Sequence, residues 1–335
     1  MLRFTTKEDK KVCLFSLIEE TQETFKKNME SAFSLKPICS PIFLLEKSGF
    51  NDELNYVEKP IRFATSSGDD CVIIHSLSKW KRYTLGRINK SNPEITGIIT
   101  RMDAIRKDEE KKDVLKTRVH SYYVDQWDWE MIIKEEERNV DFLKQTVERI
   151  YEQLLKTKAY LDEKYPNMFV KNKLAPKITF ITSQELEDKY PSLTPKEREN
   201  EAAKKFGAIF IIGIGHYLKT GKKHDGRAPD YDDWNLNGDL IVFNSVIGTA
   251  VELSSMGIRV NKESMLKQLE IMEKTEKKEL LFHKSLLEGK LPQTIGGGIG
   301  RSRVTMFLLE AKHIGEVQCS VWPKELLEDS EFDIL

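Results

Sequence analysis

The order of strand-like and helix-like segments is the feature that most constrains how this sequence can fold. Seven short β-rich runs are interrupted by only two long helical patterns, and they cover residues 71–75, 95–102, 121–125, 177–182, 207–213, 239–244 and 251–254. Strands that follow one another directly, instead of alternating with helices, pair most readily as antiparallel neighbours. The sequence therefore predicts the α+β class, with an antiparallel β-sheet flanked by helices.

Three stretches have the three- and four-residue apolar spacing of helices that bury one face. They cover about residues 11–33, 139–161 and much of 263–288, and the last is followed by Gly289, a typical residue at a helix C-terminus. The first stretch ends before Pro37 and Pro41. Because proline cannot continue a helix or donate to a central strand, these two residues predict an edge strand after the first helix.

Composition and charge narrow the class of protein further. The 335 residues are 39% apolar and contain no segment of linker composition, so we expect a single domain over residues 1–335. Lysine and arginine number 53 against 54 aspartates and glutamates, which argues against tight binding of nucleic acid. No apolar run approaches the ~18 residues of a membrane span, and no secretory signal is visible. The four scattered cysteines fit a reducing, cytoplasmic setting.

A glycine-rich segment, Gly296 to Gly300, precedes Arg301, Arg303 and an apolar run. We interpret it as a turn that opens a helix. Two arginines in a first helical turn oppose the helix dipole, which indicates an anion site there. The alternative is a tight strand-to-helix packing turn. The segment is not a Walker loop, because the Gly-Lys-[Ser/Thr] ending is missing, and it is not a dinucleotide-binding fingerprint, because no suitable strand–acid pattern surrounds it.

Acidic residues recur on strand-like segments. Asp239 and Glu252 lie on consecutive runs, so both could reach one magnesium site if those runs pair, although such a pair is more often surface decoration. On a strand, Gln126, Asp128 and Glu130 would face one side, with tryptophans on the other. A buried face of this kind would bind a positive group such as an ammonium.

Basic and polar segments leave two interpretations open. The basic cluster 79–82 could be surface charge, or could bind carboxylate or phosphate groups. The mixed-charge stretch 106–118 could be a solvated surface loop, or a loop that grips a polyphosphate. The segment 221–237 is predicted to be a long loop. No metal-binding histidine spacing and no GxSxG are present, and His75 with Cys71 is interpreted as structural.

Six stretches in sequence order resemble one known family. They are HSLSKWKRYTLG, YVDQWDWE, RAPDYDDW, LNGD, ELSSMGIRV and PQTIGGGIGRSR. They are similar to the ammonia-dependent asparagine synthetase A (aspartate–ammonia ligase) family, whose core is that of the class II aminoacyl-tRNA synthetases. The resemblance implies a homodimer of single catalytic domains without a separate tRNA-binding module. It also implies an enzyme that converts L-aspartate and ammonia to L-asparagine with ATP and Mg²⁺. An aspartyl-adenylate would form, and AMP and pyrophosphate would be released.

The same resemblance assigns roles to individual residues. Arg106 and Arg303 would hold ATP phosphates, Asp108 would contact ATP, and Asp239 and Glu252 would bind ATP with its magnesium. Arg259 would grip an aspartate carboxylate, and the other substrate contacts would be Gln126, Asp128, Lys81 and Ser254 or Ser255. Asp52 would act in the ammonia step; the alternative for it is a turn residue that caps local backbone.

Two other functions would fit the same motifs. One is a paralogue of aspartyl- or asparaginyl-tRNA synthetase that acts on or binds tRNA. The other is a catalytically inactive binding or regulatory protein with a synthetase-like fold. The near-neutral charge argues against the first. The presence of both phosphate arginines and both metal carboxylates argues against the second.

Overall fold

Two β-sheets organise the chain in the computed structural model, which describes residues 7–55 and 58–335. The strands are β1 (Lys36–Pro37), β2 (Phe43–Leu45), β3 (Arg62–Ala64), β4 (Asp70–Ile73), β5 (Gly97–Ile105), β6 (Tyr123–Ile132), β7 (Thr179–Thr182), β8 (Ala208–Ile212), β9 (Asp232–Asn244), β10 (Thr249–Arg259) and β11 (Thr294–Gly300). The helices are α1 (Lys7–Phe33), α2 (Ser78–Ser91), α3 (Lys111–Lys116), α4 (Val140–Lys164), α5 (Ser183–Lys189), α6 (Pro195–Phe206), α7 (Lys262–Ile271), α8 (Leu281–Leu287), α9 (Arg301–Leu308) and α10 (Lys324–Leu327).

The large sheet is mainly antiparallel, as the order of segments predicted. Within the described ranges its strand order is β1-β5-β6-β11-β10-β9-β8-β7, and only the outermost pairs, β1 with β5 and β7 with β8, are parallel. Both parallel pairs are joined by connections that contain a helix, as parallel neighbours require. The predicted edge strand at Pro37 is confirmed as β1. Strands β2, β4 and β3 form a separate small sheet.

Two long helices cover one face of the large sheet. α1 and α4 confirm the patterns predicted at 11–33 and 139–161, and Asn139 caps α4 by accepting a hydrogen bond from the Phe142 N–H. Phe25 of α1 contacts Trp127 with ring centroids 4.8 Å apart. Phe33 stacks on Trp129 at 5.9 Å. The predicted alternation along β6 is therefore confirmed, and its polar face is directed away from this apolar layer.

The third predicted helix is interrupted. Its segment forms α7, a 3₁₀ turn at Thr275–Glu279 and α8, and Glu273 adopts a left-handed φ of 53° between them. A left-handed residue cannot continue a right-handed helix, so the apolar spacing persists while the axis breaks. The predicted end at Gly289, where φ is 68°, is confirmed.

Three loop assignments need correction. The segment 106–118 contains helix α3, and residues 232–237 of the predicted loop 221–237 are the beginning of β9. The glycines at 296–300 form the central strand β11 and not a turn. They are required there by close packing, because a Cβ added at Gly297 would lie 2.5 Å from the Met256 Cβ. In the described part of the chain, no helix is long and apolar enough to cross a membrane.

Candidate active site

Two adjoining cavities lie over the polar face of β6, β10 and β11. The first, here called the Arg303 cavity, has a volume of about 240 Å³; the second, the Arg259 cavity, has about 180 Å³. Their shared wall consists of Arg106, Gln126, Asp225, Glu252 and Gly298. The predicted phosphate and substrate residues therefore meet at the boundary between two compartments, an arrangement suited to bringing two ligands together.

Arg106 lies at this boundary just beyond the end of β5. Its backbone N–H is fixed by the carbonyl oxygen of Tyr122 at 2.8 Å. Its side-chain Nε is buried and has no hydrogen-bond partner among the described residues. Burial and the neighbouring Arg303 lower the pKa of Arg106. A buried N–H of a cation without a hydrogen-bond partner is costly, so the site is arranged for an anionic ligand.

Arg303 occupies the first turn of α9, as predicted. Its Nη1 donates to the backbone oxygen of Glu252 at 3.0 Å and lies 3.7 Å from the Glu252 Oε2. Burial opposes ionisation of Glu252, but Arg303 and Lys196 outweigh it and lower the pKa of that carboxyl. The guanidinium therefore remains close to a carboxylate that points into the same cavity.

Asp239 and Glu252 lie on the paired strands β9 and β10, as the sequence predicted. Burial and the charge of Glu252 raise the pKa of Asp239 to about 6, although Arg227 donates to its Oδ1 at 2.6 Å. Two interacting carboxylates are oxygen ligands of the type that Mg²⁺ prefers. Among the described residues no group of three or more His, Cys, Asp or Glu is placed to hold a metal. The donor set fits a magnesium ion that arrives with phosphate oxygens.

Arg227 contributes to the site although the sequence analysis did not single it out. It donates to Ser255 and Asp239, and it lines the Arg259 cavity. Its only sequence signal was membership of the stretch RAPDYDDW. Arg227 thus fixes two of the predicted residues, one on each of two neighbouring strands.

Arg259 lines the second cavity and is held by two carboxylates. Its Nη2 lies 2.7 Å from Glu130 Oε2, and its Nη1 donates to Asp232. Burial opposes its charge, but Glu130 and Asp232 raise the pKa of Arg259 well above its ordinary value. The guanidinium is therefore permanently charged and fixed in orientation at the end of β10, which suits recognition of a carboxylate.

Gln126 and the two serines, which are predicted to contact the substrate, line the cavities. Gln126 borders both, Ser254 borders the Arg303 cavity and Ser255 the Arg259 cavity. The Ser254 hydroxyl donates to the Gly298 oxygen at 3.0 Å. A Cβ added at Gly298 would lie 2.2 Å from the Gln126 Oε1, so this glycine gives Gln126 its place.

Lys81 and Asp128 lie below the cavity surface. The Lys81 ammonium donates to Asp128 and, at 2.9 Å, to the Gly297 oxygen, and neither side chain lines either cavity. Burial raises the pKa of Asp128, although Lys81 opposes this. The surface interpretation of the cluster 79–82 is wrong, since its charged residues Lys79, Lys81 and Arg82 are at most 2% exposed.

Among the other predicted carboxylates, Asp52, Asp108 and Asp239 also line neither cavity. Asp52 accepts hydrogen bonds from the N–H groups of Ser78 at 2.5 Å and Lys79 at 3.3 Å, so it caps the beginning of α2. Burial raises the pKa of Asp52. Asp108 is exposed and accepts from the Lys59 N–H at 2.7 Å. The assignment of Asp108 to ATP needs correction, because the chain turns at this point and places the neighbouring Glu109 in the Arg303 cavity instead.

A family model and individual relatives of known name match this chain under the same description. The family model for aspartate-ammonia ligase matches residues 15–333. A protein named aspartate–ammonia ligase from Clostridium perfringens (strain SM101 / Type A) is 51% identical over 317 residues, which are 94% of this chain and 91% of that protein. One of the same name from Fusobacterium nucleatum is 49% identical over 311 residues, covering 93% and 92%.

Solved structures with the same fold are tRNA synthetases. The asparaginyl-tRNA synthetase of Pyrococcus horikoshii, complexed with asparaginyl-adenylate, superposes with a TM-score of 0.66 over 92% of this chain and 70% of that one. That of Entamoeba histolytica, also with asparaginyl-adenylate, gives 0.61 over 95% and 71%. Identities of 14% and 13% limit the conclusion to the fold, which is that of the class II aminoacyl-tRNA synthetases.

Proposed function

The chain belongs to the aspartate–ammonia ligase family, and from this premise we propose how its residues convert L-aspartate, ammonia and ATP to L-asparagine. The reaction passes through a β-aspartyl-adenylate, and AMP and pyrophosphate are the other products. The observation that carries this proposal is Arg106 at the wall shared by the two cavities, where its buried Nε has no hydrogen-bond partner among the described residues. An α-phosphate beside it would lie next to the β-carboxylate of an aspartate in the Arg259 cavity.

Aspartate binds in the Arg259 cavity in this proposal. Arg259 offers a planar pair of donors to the α-carboxylate, and Gln126 and Ser255 add polar contacts. Lys81 and Asp128 support the floor of the site from beneath β11. The β-carboxylate would then be directed toward the wall that contains Arg106.

In the same proposal ATP binds in the Arg303 cavity, where positive groups offset the negative charge of the reactants. A carboxylate attacking a phosphate joins two anions, and further negative charge develops on the departing pyrophosphate. Arg106 and Arg303 would offset this charge, and fixed donors of this kind contribute about 2.7–4 kcal/mol each. Asp239 and Glu252 would hold Mg²⁺, which supplies Lewis-acid neutralisation of phosphate oxygens when bound.

We also propose that the protein is a cytoplasmic homodimer of single catalytic domains and that it binds no nucleic acid. Support for a dimer comes from a cavity of about 320 Å³ between α1 and the edge strand β1. Arg301 lines it, and its buried Nε and Nη1 make no hydrogen bond among the described residues, although Nη1 lies 3.9 Å from the Asp125 carboxylate. A second copy packed on this edge would supply acceptors for those groups.

One assay tests the proposed reaction. The purified protein is incubated with aspartate, ATP, Mg²⁺ and ammonium, and asparagine and nucleotides are quantified. We expect asparagine, AMP and pyrophosphate in equal amounts. ADP and phosphate as stoichiometric products would contradict the adenylate route, and charging of tRNA with aspartate in the same tube would favour the synthetase paralogue.

A further inference from the structure

One wall of the Arg259 cavity carries hydrogen-bond acceptors that nothing in the described structure uses. Both ring nitrogens of His75 are buried without a partner there, and the side chain is only 1% exposed. Glu58 lines the same cavity, and its Oε2 is also buried without a partner among the described residues. Buried polar atoms are rarely left unpaired, so these atoms indicate a ligand.

His75 is fixed by its backbone at the end of β4. Its N–H donates to the Asn51 Oδ1 at 2.9 Å, which orients the residue where the small sheet meets α2. Burial and the charge of Arg106 lower the pKa of His75 to about 4. The ring is therefore neutral near pH 7, and one of its nitrogens is a free acceptor.

Glu58 is one of four carboxylates that line the Arg259 cavity. Asp232 is paired with Arg259, and Glu252 with Arg303. Among the described residues Glu58 makes no such ion pair, although it lies close enough to Arg106 to raise the pKa of that guanidinium. Once ATP phosphates neutralise Arg106, the uncompensated charge of Glu58 favours a cation in this wall.

We propose that Glu58 and His75 form the ammonium site, with the carboxylate and the imidazole nitrogen accepting N–H groups of the ion. This inference rests on the proposed function, because it names where the second substrate of that reaction binds. Asp52 is less suited to the task, since both of its oxygens already accept from the backbone of α2 and it does not line the cavity.

The ammonia step can then be written with its protons accounted for. Ammonium transfers one proton to the Glu58 carboxylate, which later releases it to solvent. The nitrogen lone pair forms a C–N bond with the β-carbonyl carbon, the C–O bond to phosphate breaks, and AMP leaves with that electron pair. The nitrogen loses its second proton to the AMP phosphate as the amide forms.

The test separates adenylation from amide formation. Aspartate-dependent exchange of labelled pyrophosphate into ATP reports the first step, and the KM for ammonium in asparagine synthesis reports the second. The variants are Glu58→Gln, His75→Gln and Asp52→Asn. Glu53→Gln is the matched control, because Glu53 lies in the same segment but pairs with Lys277 outside the cavity.

We expect Glu58→Gln to keep pyrophosphate exchange within a few-fold of wild type. The variant should raise the ammonium KM roughly 10- to 100-fold, because the ion loses one charge-assisted hydrogen bond. His75→Gln should raise the same KM about tenfold, and it serves as the second variant if Glu58→Gln does not fold. Glu53→Gln should change neither quantity.

Other outcomes overturn the proposals separately. An unchanged ammonium KM in a folded Glu58→Gln protein overturns the ammonium site and leaves the proposed function intact. Parallel loss of exchange and synthesis assigns Glu58 to adenylation and likewise overturns the site. A raised KM in Asp52→Asn but not in Glu58→Gln assigns the ion to Asp52. Absence of exchange in the wild-type protein overturns the proposed function itself.

Discussion

At the scale of single residues, the site is built from charges that restrain one another. Arg259, Arg227 and Lys81 each pair with a carboxylate in the interior. Such pairs contribute little net stability, but loss of one member leaves a buried charge uncompensated. Their value here is orientation, because the paired side chains keep one geometry before any ligand arrives.

Arg106 forms no ion pair of this kind among the described residues, and this leads to a prediction with opposite signs for stability and activity. Arg106→Ala removes a half-buried cation that lies close to Arg303, so the free energy of unfolding should stay unchanged or rise. Turnover should fall roughly 10²–10³-fold, because the phosphate loses one fixed donor. Urea unfolding and steady-state kinetics measure the two effects.

Arg87→Ala, at an exposed position on α2, is the control and should alter neither quantity. A folded Arg106→Ala protein with near wild-type turnover would show that the α-phosphate lies elsewhere.

His75 makes stability depend on pH. Its pKa is about 4 in the folded protein and near 6.5 in an unfolded chain, so the unfolded state binds more protons between these values. Its contribution to stability is present above pH 6.5 and is lost as the pH falls through 4. Over that range the unfolding free energy of wild type should drop by about 3 kcal/mol relative to His75→Gln.

Chemical denaturation of both proteins at several pH values provides the measurement. The difference between them cancels groups common to both, including His120, whose pKa is also lowered by burial, and Asp239, whose pKa is raised. Parallel pH profiles of the two proteins would refute the assignment of a buried neutral ring.

At the scale of elements, β11 shapes the site because four of its seven residues are glycines, which have no side chain. Its glycines let β6 and β10 place their polar side chains beside the strand without obstruction. A Cβ at Gly298 would meet Gln126 Oε1 at 2.2 Å, whereas at Gly300 the closest contact would be an ordinary 3.4 Å to Arg303 Cβ. The two positions lie on one strand and differ in the space above it.

Gly298→Ala should therefore displace Gln126 and impair aspartate use. We expect kcat/KM for aspartate to fall by about 10²-fold, because a displacement of about 1 Å at a reacting centre has an effect of this size. Gly300→Ala is the matched control and should retain activity within a few-fold. Equal effects of both substitutions would indicate damage to the strand as a whole. Thermal melting of each variant distinguishes that case.

At the scale of the whole molecule, the free edge at β1 leads to the prediction of a dimer. Within the described ranges β1 pairs with β5 on one side only, and Arg301 lines the cavity beside it with an Nε and an Nη1 that make no hydrogen bond there. Exposed sheet edges and unpaired buried donors are normally covered. Sedimentation equilibrium should give about twice the 38.9 kDa mass of the chain. A monomer mass that persists at micromolar concentration would refute the dimer.

Periodicity in the sequence determined much of this architecture and part of the site. Alternation along β6 predicted which side chains share a face, and the apolar spacing of α1 and α4 predicted the helices that cover the other face. Asp239 and Glu252 could be paired from their positions on consecutive strands. These inferences succeed because backbone geometry sets the side-chain period locally, at two residues for a strand and 3.6 for a helix.

Only the tertiary structure decided which charged side chains are buried, which groups they pair with and what role each of them has in the site. Lys81 lies in a basic cluster that looks like surface, yet it is buried against Asp128; Arg259 finds its carboxylate at Glu130, 129 residues away. The glycines of β11 carry no strand propensity, and the strand exists because β6 and β10 supply its hydrogen bonds from both sides. The energy of a buried charge depends on every group that surrounds it, and those groups come together only when distant segments fold.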